Sequence, residues 1–82
     1  MDYSALSYRN FRFAGRVLKL SSLQTFLTII ETGSLSRASE KLNITQSTVT
    51  ARLQALEDDL GHTLLHRHRS GVSVTAAGLR LK

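Results

Sequence analysis

The sequence predicts a small, mainly α fold: a three-helix core, a short β-hairpin and the start of a further helix. Three observations carry this. Three stretches between residues 21 and 60 place apolar residues at helical spacing, and small polar or glycine residues punctuate each of them. Two short runs of strand-favouring residues then flank Arg69, Ser70 and Gly71.

The first helix is expected from residue 21, where Leu23, Phe26, Leu27 and Ile30 follow an i, i+3, i+4, i+7 pattern. Ser21 or Ser22 can cap it, and Gly33 can end it in the left-handed conformation. Ser34 then caps a second, shorter helix that turns Leu35, Ala38 and Leu42 inward and Arg37, Glu40 and Lys41 to water, with Asn43 suited to the left-handed turn after it. Only Ile44 and Thr45 separate Asn43 from the next helix. The two helices must therefore cross steeply around Ile44, which is the arrangement of a helix-turn-helix.

The third helix, capped by Thr45 and closed by Gly61, has two faces of different character. Val49, Leu53, Leu56 and Leu60 form a narrow apolar stripe toward the core. Opposite it Ser47, Thr50, Ala51 and Gln54 are small or uncharged, a surface that a partner can approach closely. Glu57, Asp58 and Asp59 crowd the C-terminal third and would repel a phosphate backbone. Only the N-terminal half, favoured also by the helix dipole, is suited to a nucleic-acid groove.

After Gly61 the run HTLLHRHRSGVSVT is expected to form a hairpin, with Leu65, Val72 and Val74 covering the core and Arg67, His68 and Arg69 near the tip. A basic hairpin directly after such a helix is a wing, and its arginines would reach phosphates or an adjacent minor groove. Thr75 can cap a last helix that begins at Ala76.

Composition narrows the function classes. The chain has 82 residues, 41% of them hydrophobic, enough for one small core and too few for a catalytic cleft between two. It has no cysteine, so neither a disulfide framework nor a thiolate metal site is available. No run approaches the length of a membrane span, and residues 1–20 lack the apolar stretch of a secretion signal. The expectation is a soluble, cytoplasmic domain with no membrane partner.

The net charge of +5 favours polyanionic partners. Residues 1–20 hold Arg9, Arg12, Arg16 and Lys19 against Asp2, while seven basic residues meet five acidic ones in the remainder. Residues 1–20 show no sustained periodicity and are expected to be a disordered basic extension. One reading of them is an arm for DNA or RNA, with Tyr8, Phe11 and Phe13 as stacking groups; the preferred one is a leader that adds nothing to the fold. Bacterial genes can start at valine codons, and Val17 stands just before the periodic pattern. Residues 21–75 are then the folded domain, and 76–82 the start of a linker helix.

Over this ground the chain resembles the N-terminal DNA-binding domain of LysR-type transcriptional regulators. The resemblance runs from Leu23 to Gly78, about two thirds of the chain. It rests on Gly33, Ser34, Arg37 and Ala38; on Thr45, Gln46 and Thr50; on Leu56, Glu57, Leu60, Gly61, Leu64, Leu65 and Arg67; and on Val72, Val74, Thr75, Ala77 and Gly78. The chain departs from the family pattern at Ser39, Ser47, Ala51 and Leu65, where alanine, proline, arginine and phenylalanine are usual. Ala51 removes an expected DNA contact, so operator preference cannot be borrowed from relatives.

The resemblance implies sequence-specific binding of double-stranded DNA. Gln46, Ser47, Thr50 and Gln54 are then the base readers, Ala51 lies between them, and Arg52, Arg67 and Arg69 take phosphates or the minor groove. Against this stands a merely solvated helix face, with Arg52 laying its stem on the core. The resemblance also implies a homodimer or larger assembly, mainly through a long helix of which residues 76–82 are the start, so these 82 residues alone are expected to be monomeric. His62, His66 and His68 lack an acid or cysteine at ligand spacing, and neither a metal nor a cofactor is expected. No nucleophile elbow, glycine-rich phosphate loop or paired carboxylates point to an enzyme. The competing readings are a protein-interaction module on the same fold and a basic RNA-binding fragment.

Overall fold

The computed structural model describes residues 10–13 and 16–82, with side chains from Leu18 onward. Two strands, β1 (Asn10–Phe13) and β2 (Arg16–Lys19), precede four helices, α1 (Leu20–Thr32), α2 (Leu35–Leu42), α3 (Gln46–Leu60) and α4 (Ala76–Leu81). A second strand pair, β3 (Leu65–His68) and β4 (Gly71–Val74), lies between α3 and α4. This is a mainly α winged helix-turn-helix, as the sequence predicts.

The ends of the helices follow from local chemistry. The Arg37 N–H donates to Ser34 Oγ at 2.9 Å, Thr48 N–H to Thr45 Oγ1 at 3.1 Å, and Gly78 N–H to Thr75 Oγ1 at 3.0 Å. Each hydroxyl satisfies one of the amides that the first turn of a helix leaves without a partner. Gly33, Asn43 and Gly61 close α1, α2 and α3 in the left-handed conformation. Ser39 is buried in α2 with its hydroxyl on the Ser36 carbonyl at 2.6 Å, so the polar group in place of alanine is satisfied locally.

The start of α1 differs from expectation. Neither Ser21 nor Ser22 is its cap; Lys19 is, and it supplies no side-chain hydrogen bond. β2 runs directly into α1, so Lys19 is at once the last strand residue and the cap position. The disorder expected over residues 1–20 is likewise not what the described part shows. β1 and β2 pair antiparallel, in a register that sets Asn10 opposite Lys19 and Phe11 opposite Leu18. Leu18 has no exposed surface and joins the core, while residues 1–9, 14 and 15 lie outside the described ones. Two four-residue strands are too short to display sustained periodicity, so their pairing is not legible in a longer window.

The core gathers Leu18, Phe26, Ile29, Leu35, Ala38, Val49, Leu53, Leu56, Leu64, Leu65 and Leu81. Ile44 packs against it from the turn between α2 and α3, where its N–H donates to the Ser39 carbonyl at 3.1 Å. β3 and β4 pair from Leu65 opposite Val74 to His68 opposite Gly71, leaving Arg69 and Ser70 as the turn. Leu65 is buried, and Val72 and Val74 lie half-buried against the core.

Two glycines let the wing sit close. Gly71 has φ +133, and a Cβ there would stand 2.6 Å from the Gly33 carbonyl oxygen, so the wing rests directly on the turn between α1 and α2. A Cβ on Gly78 would collide with the Leu64 carbonyl and the Val74 side chain, so α4 docks backbone to backbone on the base of the wing. Thr75 stitches this junction: its hydroxyl donates to the Thr63 carbonyl at 2.7 Å and its N–H to the Leu64 carbonyl at 3.0 Å.

Candidate nucleic-acid interface

α3 is held from both ends and buried along one stripe, which leaves the opposite arc free. Val49 and Leu56 have no exposed surface and Leu53 is buried beside them, whereas Leu60 is half-buried. Gln46, Ser47, Ala51 and Gln54 are exposed and Thr50 is half-buried. All five candidates on the polar face of the N-terminal half and centre of α3 therefore point away from the core.

The wing joins this face on one side. Gln46 lines a groove with Ser34 and Ser36 of α2 and with Arg67, His68 and Arg69 of the wing. Arg67 sits opposite Val72 in the strand register and is exposed, as is Arg69 in the turn. The structure thus brings Gln46 and both arginines together along a single concavity. Ser36 belongs to it too and was missed from sequence; it follows the cap Ser34 and carries no spacing that sets it apart from a solvated helix position.

On the other side Ser47, Thr48, Ala51, Arg52 and Ala55 line a cleft with Lys19, Ser21 and Ser22. Arg52 is half-buried, and its Nη1 reaches the Thr25 Oγ1 at 3.5 Å, while that hydroxyl donates to the Ser21 carbonyl at 2.8 Å. Arg52 is tethered to α1, with its stem along the edge of the apolar stripe. Hydroxyls also cluster where α3 begins: Thr45 Oγ1 lies 2.7 Å from Thr48 Oγ1 and 3.1 Å from Ser47 Oγ.

The C-terminal half of α3 is engaged internally. Gln54 donates from Nε2 to Asp58 Oδ1 at 2.9 Å, one helical turn away. Glu57 turns back to the loop, where its Oε2 accepts from the Leu64 N–H at 2.7 Å and the Leu65 N–H at 3.4 Å. From sequence Glu57 is one of three acids that would repel phosphate; in the structure it also fixes the first residues of the wing to α3. Nothing in its helical spacing announces that, because its partners lie across a loop. His68 Nδ1 meets Ser70 Oγ at 2.9 Å, and among the described residues no three His, Cys, Asp or Glu side chains gather as a metal site.

Comparisons with known proteins agree with this fold. The family described as bacterial regulatory helix-turn-helix protein, lysR family, matches residues 20–79. The transcriptional regulator CzcR of Bacillus thuringiensis strain Al Hakam is 40% identical over 65 residues, covering 79% of this chain and 22% of CzcR. The crystal structure of the CbnR DNA-binding domain in complex with DNA superposes with a TM-score of 0.74 at 36% identity, over 77% of this chain and 72% of that one. Full-length AphB, the Vibrio cholerae virulence activator, matches with a TM-score of 0.74 at 42% identity, over 78% of this chain and 22% of AphB. The chain thus spans about a fifth of the length of the curated relatives it matches. With three capped helices, a docked wing and a family match that runs through all of them, the chain belongs to the LysR family of bacterial regulatory helix-turn-helix proteins.

Proposed function

We propose that the chain is the reading head of a LysR-type transcriptional regulator, binding double-stranded DNA with the N-terminal half of α3 in the major groove. The observation that carries this is the single groove shared by Gln46, at the start of α3, and Arg67 and Arg69 of the wing. A base edge met by Gln46 and a phosphate met by the arginines are then reached in one docking pose. Similarity to a domain crystallised in complex with DNA supports DNA as the partner.

In this reading Gln46, Ser47, Thr50 and Gln54 meet base edges, and Ala51 allows close approach at a position where a longer side chain would intervene. Arg67 and Arg69 hold the backbone or an adjacent minor groove. Arg52 braces α3 against α1 and contributes positive charge beside the groove. The setting is the bacterial cytoplasm, where duplex DNA is accessible; no described helix is long and apolar enough to cross a membrane.

The experiment is duplex binding across a salt series. Release of counterions makes DNA affinity fall steeply as salt rises, whereas a protein-interaction module on the same fold would show duplex affinity indifferent to salt. Arg69→Ala is expected to weaken all sequences alike and to lower the salt slope by about one. α4 exposes Leu79 and buries Leu81 against the core, so little apolar surface is left there for a second copy. A single chain is expected to sediment as a monomer at micromolar concentration, because so short a contact cannot offset association entropy. A stable dimer in that experiment would reveal an interface elsewhere.

A further inference from the structure

A helix seated in the major groove has a sugar-phosphate wall on each side, and the wing accounts for only one of them. Ala55 stands nine positions after Gln46, which brings it about half a turn round the axis of α3 from Gln46. Gln46 faces the wing; Ala55, with Thr48 and Arg52, faces Lys19. The exposed arc of α3 is therefore bordered by β3–β4 on one side and by the end of β2 on the other.

We propose that the β1–β2 pair holds Lys19 as a phosphate contact for the far wall of the groove entered by α3. The proposal rests on the DNA-binding function above and adds a surface that precedes the matched family region, which begins at residue 20.

Three features fit that partner. The segment from residue 10 to Lys19 contains no acid, and Lys19 at its end is exposed. The cleft between Lys19 and α3 is lined otherwise by Ser21, Ser22, Ser47, Thr48, Ala51, Arg52 and Ala55, with two positive charges and no negative one. The position is also fixed: Lys19 pairs with Asn10 in the strand register, Leu18 beside it is fully buried, and α1 begins at Leu20. With its backbone held by strand, core and helix, only the Lys19 side chain has to be ordered when it meets a phosphate, in contrast to the same charge on a loose arm. The acids of α3 that would oppose it, Asp58 and Asp59, lie at its C-terminal end, beyond Ala55.

The test uses the whole 82-residue chain and a duplex that it selects from a random pool. Lys19→Gln is expected to weaken that duplex and an unrelated one by the same factor, to lower the salt slope by about one, and to leave base preference unchanged. Phosphate-ethylation interference is expected to lose one cluster of contacts at a single flank of the site. The loss with Lys19→Glu is expected to exceed that with Lys19→Gln. Melting by circular dichroism controls for folding, which Lys19→Gln leaves intact because the side chain is exposed. If the parent binds while Lys19→Gln keeps its slope and its interference pattern, or binds more tightly, Lys19 is not a phosphate contact. A parent that binds no duplex even at low salt would instead remove the proposed function, and this inference with it.

Discussion

The two halves of α3 have the same backbone and opposite uses. In the N-terminal half, Gln46 and Thr50 have side chains without a hydrogen-bond partner among the described residues, and Ser47 shares only the small hydroxyl cluster at the cap. In the C-terminal half, Gln54 is tied to Asp58, and Glu57 holds the amides of Leu64 and Leu65. Polarity alone therefore does not mark a reading surface. The polar groups that the fold leaves unused can be spent on a partner, while those it has already paired serve to fix where the wing stands relative to the helix.

The apolar stripe is common to both halves, so its loss is the largest expected effect. Leu53 is buried near the middle of α3 as a member of the hydrophobic core. Leu53→Ala is expected to cost about 2 to 5 kcal/mol through lost transfer energy and the cavity left behind. A domain of this size has little stability to lose. An unchanged melting temperature by circular dichroism would mean that α3 is rotated relative to this description.

Glu57→Ala breaks the C-terminal half alone. It leaves the partly buried Leu64 N–H without its acceptor, an expected cost of about 1 to 3 kcal/mol. Hydrogen exchange at the Leu64 and Leu65 amides is expected to quicken, and DNA affinity to fall for every sequence alike because the wing loses its brace. Unchanged exchange at those two amides would show that the wing is held by Gly71 and Thr75 without help from α3.

Much of this division was open to inspection in the sequence, and the reason is distance along the chain. The caps at Ser34, Thr45 and Thr75 and the left-handed residues Gly33, Asn43 and Gly61 act within a turn of where they stand, so residue type and spacing suffice to find them. The stripe of Val49, Leu53 and Leu56 is periodic and equally legible. What escaped depends on neighbours brought in from elsewhere. Glu57 meets amides across a loop, Arg52 meets a threonine 27 residues away, and Ser36 reaches the interface only because the wing folds back beside it. The cap of α1 was misplaced for a related reason: two serines offered the usual chemistry, but a preceding strand fed the chain directly into the helix.

Substitutions in the N-terminal half are expected to spare stability and alter choice. Gln46→Ala and Thr50→Ala remove hydrogen-bonding groups near the start of the helix, so each is expected to change which base pairs are preferred, by about 1 to 3 kcal/mol where the contact is bidentate. Their melting temperatures are expected to stay close to the parent's, since surface changes of this kind lie within about 0.5 kcal/mol. Binding-site selection that returns the parent's preferences for both variants would remove them from the reading role.

The smallest effect is expected at Gln54, where the two halves meet. It is exposed and belongs to the same polar face as Thr50, one turn earlier, yet its amide donates to Asp58. A base that used both hydrogen-bonding groups of Gln54 would have to displace that bond, and Asp58 beside it would oppose the phosphates nearest the groove. Gln54→Ala is therefore expected to lose only the few tenths of a kcal/mol typical of an i, i+4 side-chain pair, about 0.2 to 0.5 kcal/mol, and to shift base preference less than Gln46→Ala. The double variant Gln54→Ala with Asp58→Ala separates the causes. If preference moves only when Asp58 is also removed, the acid sets the limit of the reading surface. If Gln54→Ala alone alters preference as strongly as Gln46→Ala, the reading half of α3 extends a full turn further than its internal bonds suggest.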